Sequence, residues 1–231
     1  MRRNCVISLM MNMAIIIFAV ISEIESFRTD VIRDEMWFGF TGIHSFRFFT
    51  VLSNFFVAIV AVIVIVRDIK NLVHDSYDYP TWLITLKHVA TTAVTITFLT
   101  VLLFLAPSFA IAGKGYFTLL LGTHCYMHVL NPVLAILSYV FFESRHNINL
   151  KQSLYGLLPV AIYAAIYTTM VVFVGEANGG WPDFYNFTFG GHNWVIPISA
   201  TVMLAANFII SLLLSKWHNK YASQEAHPTE E

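Results

Sequence analysis

The chain is built of long apolar runs separated by short polar stretches. A run of ~18 or more apolar residues, rising 1.5 Å per residue as a helix, is long enough to cross ~30 Å of hydrocarbon. Six runs qualify: Cys5 to Ser22, Phe46 to Val66, Val89 to Phe109, Tyr116 to Phe142, Leu154 to Val174 and Val195 to Trp217. They are continuous rather than alternating and too long for barrel strands. The pattern predicts an all-α, polytopic membrane protein: one six-helix transmembrane domain over residues 1–217 and a polar cytoplasmic tail over 218–231, expected to be mobile. The connections are short, the longest being about 23–45 and 175–194, and no internal repeat supports an inverted-repeat transporter. Arg2 and Arg3 ahead of an apolar run resemble a signal peptide. Glu23 and Glu25 follow in place of a small-residue cleavage site, so the run reads as an uncleaved anchor.

Composition sharpens this picture. Hydrophobic residues make up 57% and charged residues 12% of the chain. A soluble domain carries about 25% charged residues, so there is too little charge to solvate an ordinary globular surface. Thirteen Lys and Arg against 14 Asp and Glu leave no basic field for nucleic acid, and two cysteines cannot staple a disulfide scaffold. Flanking cations set the orientation. Arg2, Arg3, Arg67, Lys70, Lys87, Arg145, Lys151, Lys216 and Lys220 share one side, against Arg28, Arg33, Arg47 and Lys114 on the other. Both termini are therefore expected in the cytoplasm, with the plasma membrane as the location in a bacterium.

Inside the spans the expected chemistry is uncharged. Asp, Glu, Lys and Arg are absent from mid-span, with Arg47, Lys87, Glu143 and Lys216 at span ends. An embedded carboxylate is usual in ion-coupled transporters, so its absence counts against that class. The fourth run holds His124 and His128, four apart and hence on one helix face, with Asn131 nearby. Pro132 supplies no N–H to the His128 carbonyl, which predicts a kink beside an imidazole. Such a histidine can be a packing residue, a general base or a proton shuttle. Metal binding is not expected: His124 and His128 give two ligands where zinc needs three or four, and His88 lies at the other end of its span. The second run opens with Thr50, Ser53 and Asn54 on one face, a pattern that serves interhelical hydrogen bonding as readily as a site. By depth, Thr50 and the two histidines are compatible with one outward-facing pocket. The threonines of the third run read mainly as packing residues. The aromatic, glycine-rich stretch Gly179–Phe187, with Trp181, fits either an interfacial belt or a lid.

Arg47-Phe48-Phe49-Thr50-x-x-Ser53-Asn54, His128-x-x-x-Pro132, the threonine-rich third run and Gly180-Trp181-Pro182-x-Phe184-Tyr185-x-Phe187 occur in order. In this the chain resembles the androgen-induced, ADTRP-like family of integral membrane hydrolases, and within it the bacterial-type Pr-six-Pr branch, from about Phe46 to Trp217. The resemblance implies cleavage of fatty acid esters of hydroxy fatty acids by a threonine nucleophile, here Thr50, and a histidine base, here His128. Relative to the animal enzymes, Ser53 stands near the place of an acidic residue.

The expectation is thus a membrane hydrolase of lipid-like carboxylic esters, needing no cofactor. Thr50 and His128 would be catalytic, and Ser53, Asn54, His124, Asn131 and Trp181 would bind substrate or the developing oxyanion. Its partners would be the bilayer and an amphiphilic small molecule. The alternative is a small transporter or ligand sensor with a pocket lined by His, Asn and Thr.

Overall fold

A computed structural model describes residues 2–28, 42–122, 124–143 and 146–226. Arg33, Arg145 and residues 227–231 of the expected tail lie outside them. The described residues are helical, with no strand among them. Six helices carry the architecture: α1 (Arg2–Arg28), α2 (Phe49–His74), α3 (Thr81–Ile111), α4 (Tyr126–Phe142), α5 (Leu150–Val174) and α6 (Ile196–Ala226). Five are long and apolar enough to cross a bilayer, as in a multi-pass integral membrane protein; α4 is shorter.

The faces of these helices are inverted relative to a soluble protein. Along α2 the exposed large apolar positions are Leu52, Phe55, Ile59, Val62, Val66, Ile69 and Val73, at three- and four-residue steps. The buried positions between them include Asn54, Ala61, Val64, Asp68 and Asn71. Helix α1 repeats this, exposing Met10, Met13, Ile17, Val20 and Ile24 while burying Cys5, Ser8, Asn12, Ile15 and Ala19. Water would penalise such an outer stripe, whereas lipid accepts it and leaves small and polar groups to join helices inside.

Consecutive helices run in opposite directions, so one end of the bundle holds Thr50 and the other Asp68 and Glu143. Proline shapes the spans locally. Pro132 offers no N–H, and the turn before it widens so that the Asn131 N–H reaches the Tyr126 carbonyl, five residues back. The same widening occurs at Val101–Leu105, before Pro107. The run expected to be helical from Tyr116 begins instead as a short 3-10 turn, Tyr116–Leu119, and the long helical part starts later. Helix α5 opens with a capping box in which Asn149 and Gln152 satisfy each other's backbone N–H groups at 2.9 Å. It touches α6 closely at Gly156, where an added Cβ would lie 2.5 Å from the Ser211 hydroxyl.

Three expectations need correcting. The interior is not restricted to uncharged groups: Asp68, Lys87 and Glu143 are all at 0% exposure. Each sits within two or three turns of a helix end, where hydropathy assigned it to the flanks, yet neighbouring helices enclose it. Helix α6 runs on past Trp217 to Ala226, and His218, expected in a polar tail, is fully buried. His88 lies two turns inside α3 and is likewise buried.

Candidate functional site

A cavity of about 70 Å³, open toward the surroundings, lies between α2, α3, α5 and α6 beneath the segment that follows α5. Ile96, Val101, Phe104, Val160, Ile196 and Met203 make most of its wall. The polar atoms on the wall are hydroxyls, those of Thr50, Thr97, Thr100, Thr168 and three tyrosines.

The first turn of α2 brings Thr50 to this wall. Phe48 at the helix start supplies no side-chain cap. The Tyr185 hydroxyl does so instead, accepting the Phe49 N–H at 3.0 Å. Thr50 and Tyr163 are the other hydrogen-bond neighbours of that hydroxyl. Tyr163 in turn donates to the Arg47 carbonyl at 2.6 Å. Three hydroxyls from α2, α5 and the 175–194 connection therefore form one cluster. Burial pushes the Tyr185 phenol up to about 12, so it stays protonated and able to donate.

Asp183 holds the connection in place. Its carboxylate accepts the Tyr167 hydroxyl at 2.6 Å, the Phe187 N–H at 2.9 Å and, from Thr188, both N–H at 2.7 Å and hydroxyl at 2.5 Å. Burial alone would raise this acid, but the four donors outweigh it and hold Asp183 below the usual carboxylate range. Gly180 permits a tight return here: an added Cβ would meet the Met170 carbonyl oxygen at 2.2 Å. Trp181 packs on Tyr167 and Phe184 behind the cavity wall.

The remaining predicted residues lie beside the cavity. Ser53 hydrogen-bonds the Thr50 carbonyl and the Thr97 hydroxyl, both at 3.0 Å. Asn54 donates to the Thr50 carbonyl at 2.8 Å and to the Met127 carbonyl at 3.2 Å, and accepts from Asn131 at 3.0 Å. The buried pair Asn54–Asn131 thus joins the Thr50 turn to the His128 turn. His128 is not among the side chains that line the cavity. Its Nδ1 meets the Leu119 carbonyl at 2.7 Å, and its ring lies nearly parallel to that of His124, with centroids 5.8 Å apart. Donation from Nδ1 fixes the neutral tautomer and leaves the Nε2 lone pair as the basic atom.

Among the described residues no group of three or more His, Cys, Asp or Glu side chains is placed to hold a metal ion. Tyr185 and Tyr163 escape sequence reasoning as site residues, because tyrosines near a span end look like interfacial anchors. The only sequence signal was their place in or opposite the aromatic segment. The threonines at 92, 95 and 97 each bond the carbonyl four residues back, as packing residues do. Comparison with family models, with curated proteins and with solved structures gives no match.

Proposed function

We propose that this protein is a multi-pass membrane hydrolase of lipid-like carboxylic esters, with Thr50 as the nucleophile. The observation that carries the reading is Thr50 on the wall of a largely apolar cavity between membrane helices, with Tyr163 and Tyr185 beside it. An acyl chain fits such a lining, and its ester carbonyl would lie against the hydroxyl cluster of Thr50, Tyr163 and Tyr185. The Tyr185 hydroxyl, a hydrogen-bond neighbour of Thr50, would serve as the oxyanion donor to the ester carbonyl. The resemblance assigns His128 as the general base; its side chain lies off the cavity wall, and Asn54–Asn131 couples its turn to that of Thr50. Ser53, Asn54 and Asn131 position these turns, and Trp181 supports the roof of the cavity. In the same reading α4 is a sixth crossing, both termini lie in the cytoplasm by the distribution of Lys and Arg, and the cavity faces the outer side.

A second reading, an ion-coupled transporter or ligand sensor, gains support from one observation. Asp68, Glu143 and Lys87 are buried together in the bundle, supplying the interior carboxylates that such proteins use. Activity-based labelling with a fluorophosphonate, read beside hydrolysis of a panel of ester lipids, separates the two. Labelling and hydrolysis abolished in Thr50→Ala and strongly reduced in His128→Ala support the hydrolase. Intact esters and an unlabelled, folded wild type would overturn it. Substrate flux into proteoliposomes that survives Thr50→Ala would favour transport.

A further inference from the structure

At the end of the bundle remote from Thr50, Asp68, Lys87, Glu143 and His218 are each at 0% exposure. The hydrolytic scheme uses none of them. Their hydrogen bonds indicate where the protons lie. The Ser8 hydroxyl lies between Asp68 Oδ2, at 2.9 Å, and Glu143 Oε1, at 3.2 Å, and Asp68 also accepts the Tyr79 hydroxyl and, at 3.6 Å, the Cys5 thiol. Glu143 Oε1 accepts the Asn12 amide at 2.8 Å and faces the Lys87 ammonium at 3.3 Å. Asp68 and Glu143 Oε1 thus make the contacts of carboxylates, accepting from donors and facing a cation. Two carboxylates against one ammonium leave a negative charge uncompensated in the interior, an arrangement that is strongly unfavourable. A second cation balances it.

His218 meets that requirement by its own geometry. Its Nδ1 lies 2.9 Å from the Tyr139 carbonyl oxygen and its Nε2 lies 3.0 Å from the His146 carbonyl oxygen. A carbonyl oxygen only accepts, and a neutral imidazole carries one N–H, so neither tautomer makes both bonds. The imidazolium makes both. Its ring also lies flat on Tyr139, with centroids 4.3 Å apart and planes at 15°, a placement that favours a cation. His88 shows the contrast. Ser211 gives its proton to the Ser153 carbonyl at 2.6 Å, so it accepts from His88 Nε2 at 2.8 Å, and the Tyr139 hydroxyl donates to Nδ1 at 3.0 Å. A neutral ring satisfies every bond there. The titratable groups facing His218 are Tyr139 and Glu143 of α4, His146 of the next connection and His88 of α3; of these Glu143 alone carries a negative charge.

We propose that His218 is a buried imidazolium and that, with Asp68, Glu143 and Lys87, it forms a charge-balanced proton-binding centre clamping α6 to α4 and to the connection after it. The bound proton supplies one of the two clamping hydrogen bonds. Its release leaves a carbonyl facing a lone pair and a net charge in the interior, so the clamp opens when the proton departs.

The test is nitrogen NMR of the full chain, labelled at histidine, in lipid nanodiscs. At about pH 8, well above the ~6.5 of a free imidazole, one histidine is expected to show both ring nitrogens protonated. That signature should vanish in His218→Gln and persist in His88→Gln. Glu143→Gln or Asp68→Asn removes one negative charge and should convert His218 to a neutral ring at the same pH. A neutral His218 in the wild type at about pH 7 overturns the proposal, whether or not the carboxyl variants fold. An imidazolium that persists unchanged in a folded carboxyl variant overturns the charge balance on which the centre rests.

Discussion

Replacing Lys87 by methionine tests whether the buried charges hold the bundle together as a unit. The substitution keeps an unbranched side chain of similar reach and removes the ammonium. In the wild type that ammonium lies 3.3 Å from Glu143 Oε1 and donates to Asn12 Oδ1 at 2.5 Å. At this separation Coulomb attraction is worth about 5 kcal/mol for an effective dielectric of about 20. Breaking a buried pair by removing one partner costs about 3–5 kcal/mol, because the other charge stays in the interior without compensation. Lys87→Met is therefore expected to lose about 3–5 kcal/mol in denaturant unfolding at fixed detergent concentration. Lys87→Met combined with Glu143→Gln removes the orphaned charge as well. The double variant should recover most of the loss, with a coupling energy of at least ~2 kcal/mol between the two sites. The reasoning fails if Lys87→Met costs under about 1 kcal/mol, the level of an exposed ion pair. It fails equally if the double variant is no more stable than the sum of the singles predicts.

Three further outcomes follow from the site and its supports. Gly180→Ala should destabilise more than Gly156→Ala by thermal unfolding. Its Cβ would strike the Met170 backbone oxygen at 2.2 Å, whereas that of Gly156 first meets a serine hydroxyl that can turn away; the reverse order would refute the packing argument. Tyr185→Phe removes the acceptor for the Phe49 N–H at the start of α2 and should cost about 1 kcal/mol. It should also slow fluorophosphonate labelling at Thr50, and an unchanged labelling rate would exclude Tyr185 from the chemistry. Asp183 binds its proton less readily folded than unfolded, so its contribution is present above the ordinary carboxylate range. It is lost as pH falls through the lowered folded value. Acidification should therefore release the 181–188 segment, read by Trp181 fluorescence, and Asp183→Asn should abolish that pH dependence.

Much of the fold was legible along the chain because a bilayer imposes a simple length rule. Helices near each predicted run follow from it, and the widened turn before Pro132 follows from a missing N–H, which is a local fact; Pro107, expected to end its helix, only widens the turn before it, and α3 continues to Ile111. The candidate site was legible only in part. Thr50, Ser53, Asn54 and Asn131 stand out in the sequence as polar residues within apolar runs, and the structure joins them through Asn54 and the Thr50 carbonyl. Tyr185 was missed because its role depends on the 175–194 connection folding back over α2, a contact separated by more than a hundred residues. His128 was placed on the right face of its helix, but its partner there is the Leu119 carbonyl, which no spacing rule identifies.

By itself, then, the sequence determined that the chain is helical, apolar and membrane-embedded, and which of its helix faces are chemically unusual. Those properties reside in periods of three and four residues and in the cost of placing polar groups in hydrocarbon. Tertiary structure alone decided where charge is tolerated. Asp68, Lys87, Glu143 and His218 look like flank residues when each span is read alone. They are buried because four different helix ends bring compensating charges and donors to one place. Burial of a charge is a property of its neighbours, and neighbours so distant in sequence are set only when the helices pack.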